Sequence, residues 1–343
     1  MTRIVVFGAG AIGCWIGGRL AVGGADVTLV GRPRVLDELA RGLQVSELGG
    51  GQWTVHPALA TEVVDAELIL VTVKSAQTAD AARALAGTTG TIVSLQNGVR
   101  NVPLLRAALP GRRVVAGMVP FNVVRRGPGS YHRGSGGTLK VENIDAAAPF
   151  TEACLRADLA CELRDDMAAV QWAKLVMNLN NAINALSGLP LATELAQRAF
   201  RRVLAAAQRE ALGLLREARI RIARLTAVPP RWMPPLLELP DAVFHRLAGR
   251  VVAIDPYARS SMWDDLEARR PTEIPYINGE IVALAERLGT RAPINAALVE
   301  LIGAAEAGGK RDFTGEQLAQ ALQSITANAP ATAPTSSASR NLP

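Results

Sequence analysis

At 343 residues the chain is long enough for two domains, each with its own core. Its composition is 49% hydrophobic and only 4% aromatic, with a net charge of +6. The excess of arginine does not suggest nucleic acid: from Arg198 to Arg231 the basic residues are spread among Leu and Ala at helical spacing, without interleaved aromatics or a lysine cluster. Cys14, Cys154 and Cys161 form no CxxC pair and no even disulfide set, which points to a reducing, cytoplasmic compartment. His56, His132 and His245 lack metal-ligand spacing, so no metal is expected. The apolar run after Arg3 is too broken by glycine for a signal peptide, and Ala84 to Val99 is too short to span a bilayer, so no membrane association is expected either.

Ile4 to Phe7 has the β-branched and aromatic composition of a buried strand. It breaks into the loop Gly8-Ala9-Gly10-Ala11-Ile12-Gly13 and then a helical segment to about Val22. Gly-x-Gly-x-x-Gly between a strand and a helix, with a second strand at Asp26 to Val30, is the dinucleotide-binding fingerprint. The turn needs the first glycine, a pyrophosphate approaches the backbone at the second, and the helix presses on the strand at the third. First-turn amides and the helix dipole hold the phosphates. At the end of the second strand an NAD site would place an acid, whereas this chain has Gly31, Arg32, Pro33 and Arg34, with no acid before Asp37. A guanidinium suits a 2′-phosphate, which favours NADP(H); the same arginines also fit a solvated loop.

A short helix near Val35 to Arg41 is followed by polar strand-like segments between Leu43 and Val55. Glu67 to Val73 then reads as a buried parallel strand ending at Lys74. Helix Thr78 to Leu85, strand Thr91 to Leu95 ending at Gln96-Asn97-Gly98, a helix to about Leu109 and strand Val114 to Met118 continue the alternation. The pattern defines a doubly wound sheet whose ligands gather at the carboxyl ends of the strands. Val119 to Val141 reads as an antiparallel extension of that sheet, completed by a helix near Ala147 to Arg156 and a strand near Leu159 to Leu163. The fold class is therefore α/β: a Rossmann-type doubly wound sheet over residues 1–165, then an all-α domain over residues 166–326 serving substrate and dimerisation. Its apolar helices can support a homodimer. Val228 to Pro240 reads as a loop between helices, and residues 327–343 as a disordered, low-complexity tail.

Gln171 to Gly188 reads as one helix. At roughly 100° per residue Lys174, Asn178, Asn181, Ala185 and Gly188 share a face opposite Leu175, Val176, Leu179, Ile183 and Leu186. One lysine with two asparagines is an unusual solvent face and suits a lined cleft, although packing or capping would also account for it. In Ser260 to Gly279, Thr272 and Pro275 suggest a helix start with Glu273 in its first turn, where an acid also complements the dipole.

The segments GAGAIG, VTVKSAQ, QNG, WAKLVMNLNNAINALSG and SSMWDDLEARRPTEIPYING, in this order and spacing over about residues 3 to 305, resemble the ketopantoate reductase family. The resemblance implies that Lys174 is the catalytic lysine, that Glu273 and Asn278 line the substrate site, that Ser261, Asn178, Asn97 and Lys74 contact substrate or cofactor, and that Arg32 meets the 2′-phosphate. It implies NADPH-dependent reduction of a small 2-oxo acid, ketopantoate first. The alternatives are a related dehydrogenase acting on another 2-oxo or 3-oxo acid and a non-catalytic NADP(H) sensor. Two departures stand out. Where the family often carries an asparagine four residues after the position of Asn178 this chain has Ala182, with Asn181 on the same face, and Ile220 to Tyr257 is longer than in compact members.

Overall fold

The computed structural model describes residues 2–248 and 258–328. The expected disordered tail falls, from residue 329 on, outside the described residues, as does part of the long 220–257 segment.

Twelve strands form in the first half of the chain: β1 (Arg3–Phe7), β2 (Asp26–Val30), β3 (Leu43–Glu47), β4 (Gln52–Val55), β5 (Ala58–Ala60), β6 (Leu68–Val71), β7 (Thr91–Ser94), β8 (Val114–Met118), β9 (Val123–Gly127), β10 (Ser130–Arg133), β11 (Leu139–Glu142) and β12 (Cys161–Arg164). Eight of them make the main sheet in the order β12-β11-β8-β7-β6-β1-β2-β5. From β5 to β8 every pairing is parallel. The cause is visible in the residues: β6, β7 and β8 are buried along their whole length, as strands covered on both faces must be. The chain builds outward from β1 in one direction to β2 and in the other to β6, so the carboxyl ends of β1 and β6 flank the crevice where such sheets bind ligands.

The expectation that Val119 to Val141 simply extends this sheet holds only for β11, which pairs antiparallel with β8. β9 and β10 instead join β3 and β4 in a separate four-stranded sheet, ordered β4-β3-β10-β9, with β10 parallel to β3. The reason lies in the first helix, Ala11–Val22, which is apolar nearly all round and needs cover on both sides. Trp15 is fully buried and its indole N–H donates to the carbonyl of Ser46 on β3 at 2.9 Å, while the Arg19 guanidinium stacks 4.0 Å from the Trp53 ring of β4.

After β12 the described chain is helical. The helix expected at Gln171 to Gly188 is two helices, Met167–Asn178 and Asn180–Ser187, separated at Leu179. Asn178, Asn180 and Asn181 are poor helix formers clustered at the break, and Gly188 ends the second helix in the left-handed region at φ +65°. The Val228 to Pro240 segment is not all loop: Met233–Leu237 is a short helix with proline in its first turn, where the missing N–H would have had no partner. No described helix is long and apolar enough to cross a membrane.

Candidate active site

The glycine loop is fixed by the ends of both neighbouring strands. The amides of Gly8 and Ala9 both donate to the carbonyl of Val30 at 3.0 Å, and the Thr72 hydroxyl just beyond β6 donates to the carbonyl of Gly8 at 2.8 Å. Gly8 sits at φ +122°, closed to ordinary side chains. A Cβ on Gly13 would lie 2.1 Å from the Gly8 carbonyl oxygen, so helix and turn touch backbone to backbone. Above Gly10 a Cβ would meet nothing within 4 Å. The first intrahelical bond runs from Cys14 N–H to the Gly10 carbonyl, leaving the amides of Ala11, Ile12 and Gly13 without an i−4 partner at the helix mouth. Arg32 caps the helix Pro33–Leu39 directly after β2, its carbonyl accepting from the N–H groups of Val35 at 2.9 Å and Leu36 at 3.1 Å; its side chain is exposed and has no hydrogen bond or ion pair with the described residues.

The carboxyl ends of β6 and β7 reach the helical lobe. Lys74 makes an ion pair with Asp265 at 2.6 Å and donates to the carbonyl of Pro271 at 2.9 Å. Asn97 directs its Nδ2 toward Glu273 Oε2 at 3.5 Å, and Ser75 donates to Glu273 Oε1 from both its backbone N–H, at 3.0 Å, and its hydroxyl, at 2.9 Å. Arg100 forms an ion pair with Glu280. Glu273 is half-buried and does not lie inside a helix: it precedes the 3-10 turn Ile274–Tyr276, which leads into the helix Asn278–Arg287.

The helix Met167–Asn178 packs against β8 and carries Lys174. Its Nζ approaches the carbonyl of Pro120, two residues past β8, at 3.5 Å. Burial pushes the lysine down to about 8, because removing an ammonium from water disfavours its charged form. Asn178 and Asn181 are half-buried, as Lys174 is, whereas Ala182 and Ala185 are fully buried. Ser260 caps the helix Ser261–Glu267, donates to the Asn181 carbonyl at 3.1 Å and accepts from Trp263 N–H at 3.2 Å; Ser261 beside it is exposed.

Asn278 stands behind this wall rather than on it. It is fully buried, its Nδ2 donates to Asn295 Oδ1 at 3.0 Å, and its Oδ1 has no protein partner among the described residues. The structure thus gathers Lys74, Asn97 and Glu273 in one interlobe contact, leaves Lys174 and Asn178 half-buried on one helix and Asn181 half-buried on the next, and leaves Arg32 and Ser261 at exposed positions. Sequence reasoning did not single out Ser75 or Asp265. Their signal was adjacency: Ser75 follows the strand-end Lys74, and Asp265 lies within the SSMWDDLEARR segment.

Residues 4–146 match the model of the family described as ketopantoate reductase PanE/ApbA, and residues 166–306 match the model of its C-terminal region. The 2-dehydropantoate 2-reductase of Archaeoglobus fulgidus is 30% identical over 315 residues, covering 89% of this chain and 98% of that protein. The chain belongs to the ketopantoate reductase family. It is an oxidoreductase acting on a CH–OH group. Among ketopantoate reductases, the Halobacterium salinarum 2-dehydropantoate 2-reductase is 28% identical over 90% of this chain and all of that protein. A crystal structure of a PanE/ApbA family ketopantoate reductase from Ralstonia eutropha superposes with a TM-score of 0.75 at 27% identity, covering 89% of this chain and 99% of that one. D-mandelate dehydrogenase, at 20% identity and a TM-score of 0.76, shares the fold.

A nicotinamide dinucleotide fits what this member of the family presents. Open space over Gly10 admits a pyrophosphate to the backbone, the first-turn amides of Ala11 to Gly13 have no helical acceptor, and the free guanidinium of Arg32 stands at the strand end where the adenine ribose is read.

Proposed function

We propose that the protein reduces 2-dehydropantoate (ketopantoate) to pantoate with NADPH, as a step of pantothenate biosynthesis in the cytoplasm. The observation that carries this reading is the desolvated Lys174, held at the carboxyl end of β8 with a pKa brought down to about 8. NADPH, when bound, supplies the hydride. Lys174 hydrogen-bonds the ketone oxygen, polarises it, and delivers a proton as negative charge builds there; a group titrating near the working pH is well matched to that transfer. Asn178 and Asn181 are neutral, so they orient the substrate without quenching the lysine's charge. Glu273 accepts a hydrogen bond from the substrate hydroxyl, and an analogue lacking that hydroxyl leaves a carboxylate oxygen unpaired. Arg32 meets the 2′-phosphate, the glycine loop the pyrophosphate.

Support comes from the names of six relatives matching nearly end to end, all 2-dehydropantoate 2-reductases. The test is steady-state oxidation of NADPH with ketopantoate against a panel of other 2-oxo and 3-oxo acids. Ketopantoate should give the highest kcat/KM; a higher value for another acid would reassign the substrate, and no turnover with any would leave a cofactor sensor.

A further inference from the structure

Glu273 belongs to the helical lobe, yet its carboxylate is held from the sheet lobe, and the holding is asymmetric. Oε1 receives two donors from Ser75 at 3.0 and 2.9 Å, whereas Oε2 has only Asn97 Nδ2 at 3.5 Å, too long to count as a strong bond.

Ser75 is itself set by a buried relay. Asn101 Nδ2 donates to the Ser75 hydroxyl oxygen at 3.2 Å and to the Asn97 carbonyl at 2.6 Å. Asn101 Oδ1 accepts from the Thr78 hydroxyl at 2.8 Å, and that hydroxyl oxygen accepts from Gln96 Nε2, also at 2.8 Å. Ser75, Thr78, Gln96 and Asn101 are all buried, so the relay is rigid and shielded from water. The serine hydroxyl has one proton and two acceptors in reach, Glu273 Oε1 at 2.9 Å and the Asn97 carbonyl at 3.1 Å. The carboxylate is nearer and charged, and the carbonyl is already supplied by Asn101, so the proton goes to Glu273.

We propose that Ser75 is a positioning residue for substrate selection: by pinning Oε1 of Glu273 it leaves Oε2 as the acceptor for a hydroxyl on the 2-oxo acid. The arrangement ties recognition of that hydroxyl to contact between the lobes, because the donors come from one and the carboxylate from the other. This rests on the reading of Glu273 as the hydroxyl's partner.

The experiment measures kcat and KM with ketopantoate and with a 2-oxo acid of the same skeleton lacking the hydroxyl, in the wild type, Ser75→Ala, Glu273→Ala and the double variant, with melting temperatures alongside. Ser75→Ala should raise KM for the hydroxylated acid roughly tenfold more than for the other, the scale of one lost hydrogen bond to a charged group, with a smaller change in kcat. In the Glu273→Ala background Ser75→Ala should add nothing to that ratio. An equal loss on both acids, or an effect that adds fully to that of Glu273→Ala, overturns the positioning role even if Glu273→Ala is selective. If Glu273→Ala hits both acids equally, the reading of Glu273 itself fails and the role of Ser75 with it.

Discussion

In the proposed function the glycine loop and the helix carrying Lys174 serve one reaction by opposite means. Gly8 to Gly13 works through absent side chains: its tolerances are backbone distances, such as the 2.1 Å between a hypothetical Gly13 Cβ and the Gly8 carbonyl. The helical lobe works through side chains that are present, each placed by its own support, as Lys174 is by β8 and Glu273 by Ser75. Damage to the first should therefore spread along the loop, while damage to the second should remain a property of one group.

The sharpest break of that contrast is Lys174→Ala. Removing the proton donor should lower kcat by on the order of 10² or more, with cofactor binding little affected, as steady-state kinetics and NADPH fluorescence titration would show. In the wild type kcat should fall as pH rises through about 8, where Lys174 loses its proton, and a profile flat to pH 10 would refute the assignment. Gly13→Val comes next. The added carbons meet backbone that cannot give way, so the NADPH KM should rise at least about tenfold and overpacking should cost about 1–3 kcal/mol of stability by denaturant melts. If instead kcat alone fell, the loop would not be a unit. Arg32→Ala tests the one side chain the loop region contributes: the NADPH over NADH preference in kcat/KM should drop roughly tenfold, and an unchanged ratio would remove it as selector.

The smallest effect lies away from chemistry. Glu194 is fully buried, with Asn184 Nδ2 on its Oε2 at 2.6 Å, and burial raises its pKa from 4.5 to about 8. The folded protein therefore holds a proton that the unfolded chain releases between these values, so this residue's contribution to stability is full below pH 4.5 and lost as pH rises to about 8. Glu194→Gln should flatten the melting temperature across that window. Lys174 acts with the opposite sign in a higher window: its pKa is depressed from 10.5, so its contribution is present above that value and lost as pH falls to about 8.

How much could be read from the residues follows the same division. The Gly-x-Gly-x-x-Gly turn and the apolar strands β6 to β8 are local patterns found where the spacing puts them, whereas the Lys174–Asn178–Asn181 stripe crosses a break between two helices. The second sheet was not legible, because β3, β4, β9 and β10 are short and polar and are brought together only by the helix they cover. The break at Leu179 was hidden because its neighbours on both sides keep helical spacing. Ser75 and Asp265 escaped for a different reason: their roles exist only once partners at Glu273 and Lys74, nearly two hundred positions away, arrive.

The two ion pairs between the lobes have one further property. Asp265, besides Lys74, has Arg270 of its own lobe at 3.3 Å, and Glu280, besides Arg100, has Arg287 at 3.2 Å. A buried carboxylate deprived of its only countercharge resists separation strongly. Here each acid keeps an understudy arginine on its own lobe, so parting the lobes would not strand a bare anion.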